Sequence, residues 1–437
     1  MYNFLKLKVS DFKKGVFAIF IIAGLGISGC DILEVENPNS LKEEDLDNPV
    51  AAPSIANGAE ANLTNALGDL LAPYSTITDE LTWIGTRDAW EQLNQGEVED
   101  ETNEFADAAF MSISEARWSA DNAINRLENF KEEGDLRSNL PLIRSYFYGA
   151  VAYITISNAF DNFVISDRRE ASPPIGESNM DQLYDTAIGY LTKGLNLTEN
   201  DSEWEARLLA LRARAYYSKA LWAKLNPDLV TSDPLVQSEN AVQDAEAALT
   251  IIGPGNDWNY QVVVTPDTPD NYLAFQINER LELRFSDSYI ETGDEDSEVA
   301  SVTLEDPIDN IPAPYLADTI FEFVEQNEYA NITVVSEREL HLIIAEDALA
   351  RNEDQDFEGA INALRDLDDL SDYTGQIPAQ ELLEHSRRVN LFIQGQRLAD
   401  QYRFEDSSPE WTSNRLNAGS FLPITITEIR SNPNVDF

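Results

Sequence analysis

Residues 205–225, EARLLALRARAYYSKALWAKL, constrain the fold most. They set Leu208, Leu211, Ala215, Trp222 and Leu225 along one stripe at the 3.6-residue period of an α-helix. The same period recurs at 117–130, where Trp118, Ala120, Ala123, Ile124 and Leu127 share a face, and through the aromatic-rich 142–160. It recurs again at 181–195 and at 241–249, with Asn240 as a candidate cap. The neighbours 181–195 and 205–225 read as one antiparallel hairpin. Residues 337–350 and 357–367 read as another, closed by the polar turn Arg351-Asn-Glu-Asp-Gln-Asp356. Two-helix units of roughly 34 residues are the tetratricopeptide pattern, although its full consensus is absent, and a plain helical bundle would give the same stripes. The expectation is a mostly helical, all-α chain.

The N-terminus has a different purpose. Lys6, Lys8, Lys13 and Lys14 surround the start of an apolar run, 15–27, which is too short to span a bilayer and suits a signal-peptide core. The run ends in Ile27-Ser28-Gly29-Cys30, which resembles a bacterial lipobox, and Cys30 is the only cysteine of the 437 residues. The reading is a signal peptide over 1–29, lipidation at Cys30, and an extended tether over 30–50. Several acyl chains on one cysteine give stable attachment where a single chain is marginal.

Charge removes other functions. With 79 Asp plus Glu against 30 Lys plus Arg, the formal charge is −49, which disfavours phosphate backbones and hence nucleic acid. The leader holds four Lys and one Asp, so the exported body is more acidic than the whole chain by three charges. One Cys and two His, His341 and His385, leave no cysteine zinc site and little for a His-rich one.

From about 251 to 331 the helical period gives way to turn chemistry, as in Gly253-Pro-Gly-Asn-Asp257 and Thr265-Pro-Asp-Thr-Pro269. Such an excursion inside a helical chain marks a functional or flexible region. The C-terminal run 421–434, with Pro423 and Pro433, reads as irregular. The body, 51–437, is taken as one domain.

Several segments, in order, resemble the SusD/RagB family of outer-membrane nutrient-binding lipoproteins. They are the tether 31–38, DILEVENP; the helix 144–160, RSYFYGAVAYITISNAF; and 337–351, ERELHLIIAEDALAR, followed by Ala360-Ile-Asn-Ala-Leu-Arg365. The basic segment 387–397, RRVNLFIQGQR, is similar to one that ends in Glu-Gly-x-Arg in the family. Phe421-Leu-Pro-Ile424 and Asn432-Pro-Asn434 resemble its closing pieces. Gln394 stands where the family often has Glu, and Thr425 where it often has a second Pro. The resemblance implies a superhelix of tetratricopeptide-like hairpins packed against an irregular, loop-rich half. It implies a lid over a SusC-like TonB-dependent transporter, anchored by lipid at the outer membrane and facing the cell surface. The implied cargo is an oligosaccharide, or a peptide.

Sugar capture needs flat aromatic faces and side chains that hydrogen-bond hydroxyls. Residues 74–90 supply Tyr74, Asp79, Trp83, Arg87 and Trp90, and the excursion supplies Trp258 and Tyr260. Trp83 and Trp90, seven apart, would alternatively be core residues on one helix face. Trp411 reads as packing, and His341 as a buried, hydrogen-bonded histidine. No cofactor is expected. Ca²⁺ is the one left open, at the acidic run Glu291, Asp294, Glu295, Asp296 and Glu298, which lacks EF-hand spacing and reads more simply as a solvated loop. The competing functions are a helical glycoside hydrolase or lyase and a repeat scaffold of an outer-membrane assembly. Carboxylate pairs are too abundant here to argue for the first, and the chain has no Gly-x-Ser-x-Gly, P-loop or His-Glu-x-x-His motif.

Overall fold

The computed structural model describes residues 46–435 apart from 168, 200, 267, 269, 294, 296, 297, 414 and 415. The leader, Cys30 and the tether up to 45 therefore lie outside the described residues. Pro49–Phe437 forms one compact unit, and among its described residues no helix is long and apolar enough to cross a membrane.

The helical half begins with α1 (Ala52–Ile77) and continues, after a short α2 (Asp88–Asn94), with α3 (Glu104–Glu132) and α4 (Leu140–Ala159). Then come α5 (Asp181–Leu195), α6 (Ser202–Leu225) and α7 (Glu239–Ile252). Two of these starts are capped by a side chain. The Asn103 side chain accepts the Phe105 and Ala106 N–H groups at 3.0 and 3.2 Å, capping α3, and Asp201 caps α6 through the Trp204 N–H. From α3 onward consecutive helices pack against one another, α3 on α4, α4 on α5, α5 on α6 and α6 on α7. Gly149 and Gly194 let them approach closely. A Cβ at Gly149 would stand 3.0 Å from Ile124, and one at Gly194 would stand 3.0 Å from Leu208.

The excursion interrupts this stack without ending it. After it, α9 (Glu337–Arg351) packs on α7 and α6, and α10 (Asp354–Asp366) packs on α9, so the hairpin series resumes. The fold is mostly α-helical with tetratricopeptide-like hairpins. Leu342, Ala345, Phe357, Ile361, Leu382 and Leu391 form the apolar core of this second section, which includes α11 (Ala379–Asn390).

Among the described residues, six short strands form three antiparallel pairs: β1 (Leu81–Trp83) with β3 (Leu283–Phe285), β2 (Asn259–Val262) with β6 (Ile332–Ser336), and β4 (Ile290–Thr292) with β5 (Val299–Val302). The β2–β6 pair joins the two ends of the excursion. Strand β6 runs straight into α9, whose first turn is capped by the Ser336 side chain accepting the Glu339 N–H.

Helices also fall where the sequence reading expected none, among them a short turn of helix at Tyr272–Ala274 and two longer ones. One is α8 (Pro314–Glu325), inside the excursion, and the other is α13 (Ile426–Ser431), inside the C-terminal run. Pro314 opens α8 and Leu316, Ile320 and Phe323 form its buried stripe. Exposed Phe321 and Val324 blur that stripe in the sequence.

Candidate ligand-binding site

The resemblance blocks meet in the interior. Glu346 of α9 is fully buried and pairs with Arg403 of α12 (Arg397–Arg403), and its carboxylate also accepts the Tyr217 hydroxyl at 2.7 Å. Arg387 lies 3.5 Å from Glu346 and donates to Asp400 at 2.8 Å; Arg403 donates to Asp400 at 2.8 Å as well. Burial pushes the Glu346 and Asp400 carboxyls up. The two guanidinium groups outweigh it and hold both below the usual carboxylate range. Glu346 also accepts the Val236 N–H and Asp347 accepts the Ser238 N–H, at 2.9 and 2.7 Å, fixing the entry to α7. The Ala345-Glu-Asp-Ala348 segment and the arginine-rich segment are therefore structural: they tie the helical stack to the chain's C-terminal quarter.

Four of the seven aromatic and polar candidates belong to this interior and are corrected to packing roles. Trp90 is completely buried in α2, stacked on Phe105 with ring centroids 3.6 Å apart. Tyr74 is buried in α1. Buried Asp79 takes a two-pronged ion pair from Arg397 at 2.7 and 2.9 Å and a second from Arg388 at 3.1 Å. Tyr260 is buried edge-on to Phe147 at 4.8 Å, under the Arg207 guanidinium at 5.0 Å. The shared-helix alternative for the two tryptophans is also corrected, since Trp83 lies on β1 and Trp90 on α2.

Trp83, Arg87 and Trp258 stay partly exposed. Arg87 donates to Glu104 at 2.8 Å and covers the Phe105 ring at 4.7 Å, at the edge of a shallow depression that includes Asp88, Asp100 and Asn103. Trp411 donates its indole N–H to the Ile77 carbonyl at 2.6 Å, a packing contact. Partly buried His341 has Glu337 at 3.8 Å. Of the acidic run, Asp294 and Asp296 lie outside the described residues. Among the described residues no group of three or more His, Cys, Asp or Glu side chains is placed to hold a metal ion.

A deeper cleft opens where the excursion meets α9, with a volume of about 310 Å³, at the lower end of the roughly 300–1,000 Å³ usual for small-molecule sites. Asp257 and Asn259, which flank Trp258, line it from β2 and its approach, and Tyr315, Asp318, Thr319 and Glu322 line it from α8. Arg338, at the start of α9, closes its floor. Its guanidinium reaches Asp257 at 2.7 and 2.9 Å, Asp368 at 2.8 and 2.9 Å and Asn390 at 2.9 Å, and lies 3.9 Å from the Tyr315 ring centroid. Arg338 is thereby consumed, and its guanidinium covers one face of the Tyr315 ring. Gln261, Asn331, Thr333 and Gln394 complete a wall that both donates and accepts hydrogen bonds. Sequence reading named Trp258 and Tyr260, which alternate with the lining residues Asp257, Asn259 and Gln261, and it missed the α8 wall because it missed the helix.

Gln394 stands on a strained turn. Ile393 is left-handed at φ 51°, costly for a β-branched residue, and Gly395 follows at φ 71°. The Ile393 N–H donates to buried Glu80 at 2.7 Å. Burial outweighs that bond and pushes the Glu80 carboxyl up to about 7. Relative to an unfolded carboxyl near 4.5, this group's contribution to stability is fully present below about pH 4.5 and is lost as pH rises to 7. In Glu80→Gln, which keeps an acceptor and does not titrate, stability relative to the unsubstituted protein should rise by about 3 kcal/mol between pH 4.5 and 8. Urea unfolding at the two pH values checks this; a difference that does not move with pH contradicts it.

The architecture has solved counterparts. A SusD superfamily protein from Bacteroides vulgatus aligns over 90% of this chain and 98% of its own, with a TM-score of 0.62 and 14% identity. One from Parabacteroides distasonis aligns over 91% and 99%, with a TM-score of 0.62 and 15% identity. The chain has the SusD-superfamily fold. A further match is a structure solved with xylogluco-oligosaccharide, over 88% of this chain and 97% of its own, at a TM-score of 0.59 and 13% identity. No protein-family model and no curated protein matches the sequence. The likeness is one of fold, at 13–15% identity.

Proposed function

We propose that this SusD-like chain is a lipid-anchored protein at the outer-membrane surface that binds an oligosaccharide and passes it to a SusC-like TonB-dependent transporter. The observation that carries the reading is the cleft of about 310 Å³ with Tyr315 beside a wall of amide, hydroxyl and carboxylate side chains. A sugar ring offers an apolar face to an aromatic and hydroxyls that both donate and accept, and this lining matches both. Binding is the function assigned, with a glycoside hydrolase or lyase as the competing reading. The structural neighbour solved with xylogluco-oligosaccharide supports the ligand class. The lipobox at Cys30 supports the anchor.

Affinity electrophoresis of the full chain through a panel of polysaccharides tests the reading. At least one should retard the protein, and Tyr315→Ala combined with Asn259→Ala should weaken that retardation at least tenfold while Trp83→Ala leaves it unchanged. Equal retardation of the cleft variant refutes the site, and retardation by peptides alone refutes the ligand class. A barrel protein should copurify from outer membranes with the lipidated chain and be absent when Cys30 is replaced by Ser.

A further inference from the structure

The turn at Ile393 ties the cleft to a buried carboxylate. Phe392, Ile393 and Gln394 line the cleft in succession, on the segment that joins α11 to α12. The Gln394 N–H donates to the Leu391 carbonyl at 3.2 Å and closes the turn. Left-handed Ile393, at φ 51°, has a conformation that a β-branched residue keeps only where its surroundings impose it. The imposing contact is Glu80, whose carboxylate accepts the Ile393 N–H at 2.7 Å across 313 residues of sequence.

Glu80 is 1% exposed and forms no ion pair of its own among the described residues. The cations around it are engaged elsewhere. Arg397 of α12 pairs with Asp79 and Asp406, and Arg388 of α11 pairs with Asp79. Asp79 itself, Tyr74 from α1 and Tyr289 from the turn before β4 are the other titratable groups that act on the Glu80 charge. The Thr78 hydroxyl lies 3.4 Å from its Oε2. Burial raises the Glu80 carboxyl, and the Ile393 bond is the strongest influence lowering it. A carboxylate is also a stronger acceptor than a neutral carboxyl. Releasing the turn would therefore raise the carboxyl further, so ionisation and the formed turn favour each other.

Resting on the oligosaccharide reading above, we infer that Glu80 is a positioning residue for the cleft: its ionised carboxylate holds the Ile393 turn left-handed, its protonation releases Phe392 and Gln394 from the wall, and sugar binds more tightly to the ionised form. Glu80 acts through the Ile393 N–H. The sign separates this role from a merely structural one. As pH rises from about 4.5 to 7 the same carboxyl costs the fold stability while it tightens the cleft.

The test combines NMR of the full chain labelled with ¹⁵N-isoleucine and affinity electrophoresis through xyloglucan, xylan and laminarin, both from about pH 5.5 to 8.5. The Ile393 amide signal, identified by its loss in Ile393→Gly, should shift in one step centred near pH 7. It should stay constant in Glu80→Gln, which keeps an acceptor without the charge. At least one polysaccharide should retard the unsubstituted protein about fivefold more strongly at the upper pH than at the lower, a coupling of ordinary size. Glu80→Gln should lose that dependence. Ile393→Gly should lose it too, because glycine adopts the left-handed form unaided. An Ile393 signal that does not titrate overturns the positioning role, as does a pH-dependent retardation that survives in Glu80→Gln. Retardation equal at both pH values overturns it as well and leaves the oligosaccharide reading standing. Retardation by none of the three polysaccharides at either pH overturns both.

Discussion

Glu346→Ala is expected to lower the free energy of unfolding by about 3–5 kcal/mol, the usual cost of breaking a buried ion pair from one side. The loss is not that of one attraction. Arg403 and Arg387, both almost completely inaccessible, would keep Asp400 as their one remaining carboxylate, and the Tyr217 hydroxyl and Val236 N–H would lose their acceptor. The surface pair Lys224–Asp233, with its Asp side chain 73% exposed, gives the contrast: Asp233→Ala should cost no more than about 1 kcal/mol. Urea unfolding of both variants followed by tryptophan fluorescence decides. A Glu346→Ala cost as small as that of Asp233→Ala would mean that the interior network does not hold the helical stack to the C-terminal segment. The same network governs acid sensitivity. Glu346 and Asp400 have folded pKa values below their unfolded ones, so their stabilisation is present above the unfolded values and is lost as pH falls through the folded ones. This runs opposite to Glu80.

Trp90→Ala is expected to cost about 3–5 kcal/mol, as for other large aromatics removed from a core. The indole has no exposed surface, lies flat on Phe105, and has Tyr272 at 6.5 Å between centroids. Trp83, partly exposed on its short strand, should cost distinctly less. Thermal unfolding of the two variants side by side checks the order. If Trp90→Ala unfolds like the unsubstituted protein but loses sugar retention, Trp90 is a binding residue and the burial argument fails.

The hairpin series was legible because α3, α5 and α7 carry clear apolar stripes. The partner α6 was read from its stripe Leu208, Leu211, Ala215, Trp222 and Leu225, and α9 as the first helix of a hairpin. Charges that look like surface residues, Arg214, Arg338, Glu339 and Glu346, point inward and pair across the stack, where Arg214 meets Glu339 at 2.6 Å and through a second, shorter bond. A buried ion pair reads in a sequence as a polar face, so the period fades where the network is densest. The site was half legible. Trp258 and Tyr260 stood out as aromatics in a polar loop, but alternate residues of a strand face opposite ways, so Tyr260 turned into the core while Asn259 faced the cleft. Residues 74–90 had the right composition for sugar binding and were mostly core. Tyr74 and Trp90 are apolar enough to be buried, and Asp79 is neutralised by two arginines that lie more than 300 residues further along the chain. No local pattern carries that distance.

The most direct measurement is a crystal structure of the chain with the oligosaccharide that retards it most. The expected result is a sugar ring in the cleft between α8 and the start of α9, beside Tyr315 and within hydrogen-bond distance of Asn259 and Gln394. A sugar bound instead in the shallow depression around Arg87 and Asn103, with the cleft unchanged, would contradict the assignment.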